Sequence, residues 1–271
     1  MPATADASLD DWRLKEAPYY QPVGREEAAF EAAASARLPV LLTGPTGCGK
    51  TRFIEHMAWR MRRPLVTIAC HEDLTAGDLA GRWLLDADGT RWQDGPLALA
   101  ARFGAICYLD ELVEARSDAV VVVHPLADTR RVLPLDRRGE LLHAHPDFLL
   151  VASYNPHYSL HKTLKPSTRQ RFTALEFGYP DSETEAAIVA REGGADRDLA
   201  ARLVALAQRT RRLRDDGLDE GASTRLLVHA ASLVRAGLPA RAACLQAIAA
   251  PLSDDPELAA VLRDLVHASF A

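Results

Sequence analysis

Gly44-Pro45-Thr46-Gly47-Cys48-Gly49-Lys50-Thr51 decides the fold of this chain. An apolar run, Leu38 to Leu42, leads into it, and a helical pattern from Arg52 to Arg62 leaves it. Strand, glycine-rich turn and helix together carry the spacing G-x-x-x-x-G-K-[ST] of a Walker A phosphate loop. The glycines let backbone N–H groups converge on an anion, and the helix N-terminus adds the positive end of its dipole. Lys50 is placed to bridge β- and γ-phosphates, and the Thr51 hydroxyl to ligate Mg2+. An ordinary glycine turn would not match all eight positions and both flanks. The nucleotide-binding set is therefore Gly44, Pro45, Thr46, Gly47, Cys48, Gly49, Lys50, Thr51 and Arg52, and the nucleotide is a triphosphate.

The second informative stretch is Gly104-Ala105-Ile106-Cys107-Tyr108-Leu109-Asp110-Glu111, an apolar strand ending in two carboxylates. Many strands end in acidic turns, so alone this is weak. Following a Walker A loop and one further apolar strand, Pro64 to Ala69, it reads as Walker B. Asp110 would hold the metal through water, and Glu111 would polarise the attacking water as general base. Phe148 to Ser153 is another buried strand of the parallel type. It leads to Asn155, the only asparagine in the chain, where an amide could orient water against the γ-phosphate. A turn residue before Pro156 is the blander alternative. Lys165 to Phe172 follows as a short helix bearing Arg169 and Arg171, then a last strand, Thr173 to Phe177.

Between these landmarks the signals are mixed. Residues 1–18 lack periodicity and read as a loosely held tail. Tyr19 to Gly24 precedes an alanine-rich helix, Arg25 to Ala36, and either lines an adenine pocket or packs beneath that helix. Residues 71–95 are acidic and glycine-containing, with Trp83, Trp92 and a turn at Asp88-Gly89. They read as a long functional loop, unless both tryptophans simply pack. Across 116–127, Val120 to Val123 favours strand by propensity, whereas Val120, Val123 and Leu126/Ala127 have helical spacing. Arg131 to Leu135 and Glu140 to Leu142 form an expected hairpin.

Beyond Pro180 the chain is alanine- and leucine-rich with helical periodicity in segments 182–192, 196–214, 223–236, 239–250 and 255–269. Ser223 is the expected N-cap of the third, which places Arg225 in a first helical turn. The division is thus a tail (1–18), an α/β nucleotide-binding core (19–180) and a small all-helical domain (181–271).

Composition narrows the class. The 271 residues carry 48% hydrophobic and 25% charged side chains and a formal net charge of −5, ordinary for a soluble globular protein. That charge argues against a nucleic-acid partner. Cys48, Cys70, Cys107 and Cys244 lack any C-x-x-C pairing and read as reduced core or loop residues. His143/His145 and His157/His161 complete no metal-binding pattern and read as surface residues. No apolar run approaches the roughly 20 residues needed to span a bilayer, and Met1 to Asp11 is unlike a signal peptide. A cytoplasmic location is expected.

The order of landmarks resembles the AAA+ ATPases, within them the MoxR branch, and within that the CbbQ/NirQ/NorQ group. The resemblance spans about residues 19 to 269. It is carried by segments 38–53, 69–82 (A-C-H-E-D-L-T-A-G-D-L-A-G-R), 92–97, 104–111, 124–128, 167–172 (S-T-R-Q-R-F) and 221–227 (G-A-S-T-R-L-L). It implies an AAA+ P-loop αβα sandwich with a mostly parallel sheet, followed by a helical lid. Asn155 is implied as sensor 1 and Arg225 as sensor 2. Arg171 is implied as the arginine finger acting on the neighbouring subunit of a homo-hexamer, with Arg169 the runner-up. Segment 71–95 resembles the pore-facing helix-2 insert. ATP and Mg2+ are the implied cofactors, and a von Willebrand factor A (VWA) domain protein, CbbO-like, the implied adaptor.

Tyr19 to Gly24, Met57 to Trp59, Ala101 to Ala105 and His145 to Phe148 look more like CbbQ, a Rubisco activase motor. The alternative is NirQ/NorQ-type maturation of nitric oxide reductase. The chain departs from the group's pattern around Ser117 to Val120 and around Asn155 to Tyr158, which bears on the target.

Other classes fit less well. A small GTPase needs an N-K-x-D motif, which an only asparagine followed by Pro156 cannot supply. A small-molecule kinase would not need the set Glu111, Asn155 and Arg171. A DNA-loading AAA+ protein is disfavoured by the net charge, and a nucleotide-gated binding module would tolerate loss of Glu111.

Overall fold

A computed structural model describes residues 9–87, 89–156 and 163–270. They sort into two compact units. The first holds the described residues of Met1–Thr43, Lys50–Tyr154 and Leu160–Glu176, and the second those of Gly44–Gly49, Asn155–Ser159 and Phe177–Ala271.

In the first unit, α1 (Glu26–Ser35) precedes β1 (Val40–Thr43) and α2 (Lys50–Arg60), then β2 (Leu65–Ala69). Next come α3 (Ala76–Ala80), the hairpin β3 (Gly81–Asp86) and β4 (Gly89–Asp94), α4 (Pro96–Phe103) and β5 (Ile106–Asp110). α5 (Ser117–Val123), the hairpin β6 (Val132–Leu135) and β7 (Glu140–His143), β8 (Leu149–Tyr154), α6 (Pro166–Arg169) and β9 (Thr173–Glu176) complete it. Five of these strands form a parallel sheet in the order β2-β5-β8-β1-β9.

Its central strands are apolar runs because both faces are covered. Cys107 and Leu109 of β5, and Leu150 and Ala152 of β8, join a core with Leu79 of α3, Leu97 and Ala101 of α4 and Ala119 and Val123 of α5. The alternate residues Ile106, Tyr108, Leu149 and Val151 are equally buried. On that side α2 meets β5 and α1 meets β9, supplying Phe30, Phe53, Ile54 and Met57. Helices therefore cover both faces, the expected αβα sandwich. Phe30 and Phe53 pack edge to face at 5.5 Å, and α2 is tied to α1 by His56–Glu27 (2.6 Å) and Arg60–Glu31 (2.9 Å). Tyr20 stacks beside Phe53 and His56.

The open conflict at 116–127 resolves as helix. Ala119 and Val123, four residues apart, are both buried, so helical spacing against the core outweighs the β propensity of the valines. The expected hairpin at 131–142 is present as β6 and β7. Segment 71–95, read as a loop, is ordered instead. A Thr75/Asp78 capping box starts α3, and β3 pairs with β4 so that Trp83 lies opposite Trp92, ring centroids 5.4 Å apart. Trp83 remains 49% exposed. Of the expected turn, Asp88 lies outside the described residues, as do His157 and His161. Within the expected tail, Leu9–Trp12 forms a 3₁₀ turn whose Leu9 is buried in the core. Cys70, Cys107 and Cys244 are buried and Cys48 half-buried, and all four are free thiols.

The second unit is helical beyond Pro180. It contains α7 (Ser182–Gly193), α8 (Arg197–Arg212), α9 (Thr224–Arg235), α10 (Ala240–Cys244), α11 (Ala250–Leu252) and α12 (Pro256–Ser269). Asp181, Asp196, Ser223 and Asp255 cap α7, α8, α9 and α12 by accepting backbone N–H bonds, each worth about 1 kcal/mol. The expected single helix over 239–250 is interrupted by a π turn, Leu245–Ala249. Pro251 follows it, and a proline ring collides with the carbonyl four residues back in a regular helix. Leu203, Ala207, Leu227, Ala231, Ile248 and Leu262 build the core of this unit. Among the described residues no helix is long and apolar enough to cross a membrane.

Candidate functional site

The phosphate-loop motif occupies the turn after β1, and its Lys50 opens α2. Two of its glycines are irreplaceable on steric grounds. Gly44 has φ +150°, and a Cβ there would sit 2.3 Å from the Phe177 carbonyl oxygen. Gly47 has φ +66°, and a Cβ would lie 2.7 Å from the Ser223 side chain. Lys50 is only 8% exposed. Arg52, assigned to the same set, is exposed on α2 and pairs with Glu55 at 3.2 Å.

The carboxylate pair is built by two neighbouring strands of the first unit. Asp110 ends β5, and its Oδ1 accepts hydrogen bonds from Tyr108 Oη (2.6 Å) and Ser153 Oγ (2.7 Å). Ser153 Oγ in turn accepts the Glu111 N–H at 2.8 Å. One buried hydroxyl, 0% exposed, therefore fixes both the side chain of Asp110 and the backbone of Glu111. It has to, because Glu111 is in the left-handed region (φ 57°, ψ 52°), a conformation that costs a non-glycine residue about 1 kcal/mol or more. Thr51 Oγ1 lies 3.4 Å from Tyr108 Oη, which links the start of α2 to the same cluster. Burial, then the charge of Asp110, pushes the Tyr108 phenol well above its usual range, so it stays protonated and donating. Burial and the two carboxylates likewise push the Cys70 thiol up to about 12. Tyr108 and Ser153 were not picked out by sequence reasoning, because a hydroxyl inside an apolar strand gives no local signal.

Within the second unit, Thr46 is the meeting point. Its Oγ1 accepts from Asn155 Nδ2 (3.4 Å), its carbonyl accepts from Tyr179 Oη (3.1 Å), and its N–H donates to Glu220 Oε1 (3.4 Å). Asn155 is buried, 7% exposed. Ser223 caps α9 as expected, and Arg225, exposed in its first turn, has its Cβ 3.3 Å from where a Gly47 Cβ would be.

The two finger candidates differ in setting. Arg169 is exposed at the end of α6. Arg171 is half-buried, donates from Nη1 to the Ser167 carbonyl, and has a buried Nε without a hydrogen-bond partner among the described residues. Its neighbour His124, bonded to Thr168 at 3.1 Å, has its pKa lowered by burial and then by the Arg171 charge.

Mg2+ fits the donors present. A threonine hydroxyl and a carboxylate are hard oxygen ligands, and both hydroxyl bonds to Asp110 fall on Oδ1, so Oδ2 would be the oxygen available to such an ion or its water. Among the described residues no cluster of three His, Cys, Asp or Glu side chains could hold a metal alone, so such an ion would take the rest of its shell from phosphate and water.

Comparison with known proteins identifies the family. Residues 39–172 match the AAA domain (dynein-related subfamily), and residues 185–269 match the CbbQ/NirQ/NorQ C-terminal domain. Protein CbbQ of Hydrogenophilus thermoluteolus is 56% identical over 97% of this chain and 98% of its own. Protein NorQ of Paracoccus denitrificans is 59% identical over 94% of this chain and 95% of its own. The denitrification regulatory protein NirQ of Pseudomonas aeruginosa is 58% identical over 94% and 98%. Among solved structures, a RuvB variant of Thermotoga maritima matches with a TM-score of 0.55 at 15% identity, over 90% of this chain and 71% of that one. A putative ATPase of Cytophaga hutchinsonii matches with a TM-score of 0.51 at 17% identity, over 89% and 80%. These structures speak to the fold alone, whereas the sequence relatives cover 94–97% of the chain. A nucleotide-binding enzyme that hydrolyses ATP, this chain belongs to the CbbQ/NirQ/NorQ family of AAA+ ATPases.

Proposed function

We propose that this ATPase is the motor of a protein-remodelling machine. Its adaptor carries a VWA domain, CbbO-like, and its target is Rubisco inhibited by bound sugar phosphates. The observation that carries the hydrolytic part is the joint anchoring of Asp110 and Glu111 through Ser153. In this reading the phosphate-loop amides and Lys50 hold the triphosphate, Glu111 takes the proton from the attacking water, and Asn155 orients that water. Mg2+, held by Thr51 and Asp110, would neutralise charge on the β- and γ-phosphates. Arg225 contacts the γ-phosphate within its own subunit, and Arg171 reaches the nucleotide of the next subunit in a homo-hexamer. The reading places the protein in the cytoplasm.

The finger assignment has a direct test. Arg171→Ala is expected to lower the ATPase kcat about 100-fold, the loss typical of one preorganised charge donor, with the ring intact by size-exclusion chromatography. Normal hydrolysis in an intact ring would move the role to Arg169.

A second target reading is favoured by one observation: identity to NorQ (59%) matches that to CbbQ (56%), so overall similarity does not separate Rubisco from nitric oxide reductase maturation. The CbbQ-like segments at 19–24, 57–59, 101–105 and 145–148 support Rubisco. The experiment combines the purified chain, its VWA-domain partner, ATP and sugar-phosphate-inhibited Rubisco, and reads carboxylation. ATP-dependent recovery is expected. Brisk ATP turnover without recovery would transfer the target to nitric oxide reductase maturation.

A further inference from the structure

The helical unit contains a buried polar chain that the nucleotide chemistry does not require. Glu185 on α7 is 0% exposed, and Arg211 on α8 grips it with two bonds, Nη1 to Oε2 at 2.8 Å and Nη2 to Oε1 at 2.6 Å. Arg211 Nε donates to the Ala222 carbonyl at 2.9 Å, just ahead of α9. Thr224, the first residue of α9, donates its hydroxyl to Glu185 Oε1 at 2.6 Å. The free face of the guanidinium lies on the Tyr179 ring, 3.7 Å from the centroid. Tyr179 Oη then donates to the carbonyl of Thr46 in the phosphate loop. Read end to end, the chain runs from Thr46 through Tyr179, Arg211, Glu185 and Thr224 to the residue beside Arg225.

A buried ion pair is a costly way to stabilise a fold, since apolar residues of similar volume often do as well. What a bidentate guanidinium adds is direction, because its fork and its stacking face both have fixed geometry. Here the fork fixes the start of α9, and the stacking face fixes a ring whose hydroxyl reaches the phosphate loop. Gly221 allows the fit: a Cβ at that position would fall 2.4 Å from Arg211 Cα.

We propose that Tyr179, Arg211, Glu185 and Thr224 are positioning residues that set the aim of Arg225 and the conformation of the phosphate loop together. A shift of either end is transmitted to the other through side chains of fixed geometry. This deepens the reading of Arg225 as a γ-phosphate contact and rests on it.

The test is a double-mutant cycle on the full-length ATPase with Tyr179→Phe and Arg225→Ala. Tyr179→Phe keeps the ring and its stack and removes only the hydroxyl that reaches Thr46. It is expected to lower kcat about fivefold, the worth of one hydrogen bond, with KM for ATP within about twofold and a melting temperature lowered by no more than about 8 °C. In the Arg225→Ala background the same change is expected to cost less than about 1.5-fold, since there is no aim left to lose. Thr224→Val, at the far end of the chain from the loop, is expected to reproduce the kcat loss with the same unchanged KM. An equal fivefold loss in both backgrounds would overturn the proposal, because the hydroxyl would then act independently of Arg225. So would a Tyr179→Phe variant with wild-type kcat. Arg225→Ala with full turnover would instead remove the role of Arg225 and the relay with it. Wild-type protein that binds a fluorescent ATP analogue without hydrolysing any nucleotide would overturn the functional reading at its root.

Discussion

Glu111→Gln is expected to lower ATP turnover about 1,000-fold or more while the affinity for ATP stays within a few-fold of the wild type. The amide is nearly isosteric with the carboxylate, but it cannot take a proton from water, and general-base catalysis of this kind contributes about 10²–10⁴-fold. The position also makes the comparison clean. Glu111 is held in its left-handed conformation by a bond from its own N–H to Ser153 Oγ, which the substitution does not touch. The cost is therefore one of chemistry, about 4 kcal/mol at three powers of ten, and not of geometry. Steady-state phosphate release beside equilibrium binding of a fluorescent ATP analogue separates the two. Turnover within tenfold of wild type would give the base role to another group.

The second large effect is on stability. Arg211→Ala strands the Glu185 carboxylate, 0% exposed, with only the Thr224 hydroxyl to stabilise it, and strips the cation from the face of Tyr179. Breaking one side of a buried ion pair costs about 3–5 kcal/mol. For a unit of roughly a hundred residues that corresponds to a fall of about 12 °C or more in its melting transition. Calorimetry should show the helical unit losing stability, and the double change Glu185→Met with Arg211→Met should recover most of it, because no charge is then left unpaired. A drop of only a degree or two for Arg211→Ala would mean that water reaches Glu185 and that the pair is not a rigid element.

The parts of this molecule legible in the sequence are those in which chemistry is local. Lys50 and Thr51 follow glycines at fixed spacing, and Asp110-Glu111 ends an apolar run, so a short window holds the whole signal. The sheet was equally legible, because strands covered on both faces, such as Leu149–Tyr154, need mostly apolar residues. The β3–β4 hairpin was not. Its strands are exposed over most of their length, so no alternation marks them, and pairing is carried by backbone bonds and the Trp83–Trp92 contact. The break in 239–250 depended on weighing a single proline against a strong helical pattern. The supporting shell of the site was hidden for another reason. Tyr108 meets Asp110 across one strand and Ser153 meets it from the next, while Glu185 and Arg211 stand on different helices. Such contacts exist only once the chain has folded.

The strand order has a consequence for how the protein is made. Val40–Thr43, which carries the phosphate loop at its end, pairs only with Leu149–Tyr154 and Thr173–Glu176, each more than a hundred residues later in the chain. At about 5–20 residues per second on the ribosome, this strand waits roughly 5–20 s for its first neighbour. During synthesis the nucleotide-binding strand is an unpaired apolar segment, and every nascent chain that stalls before Leu149 displays it without either partner.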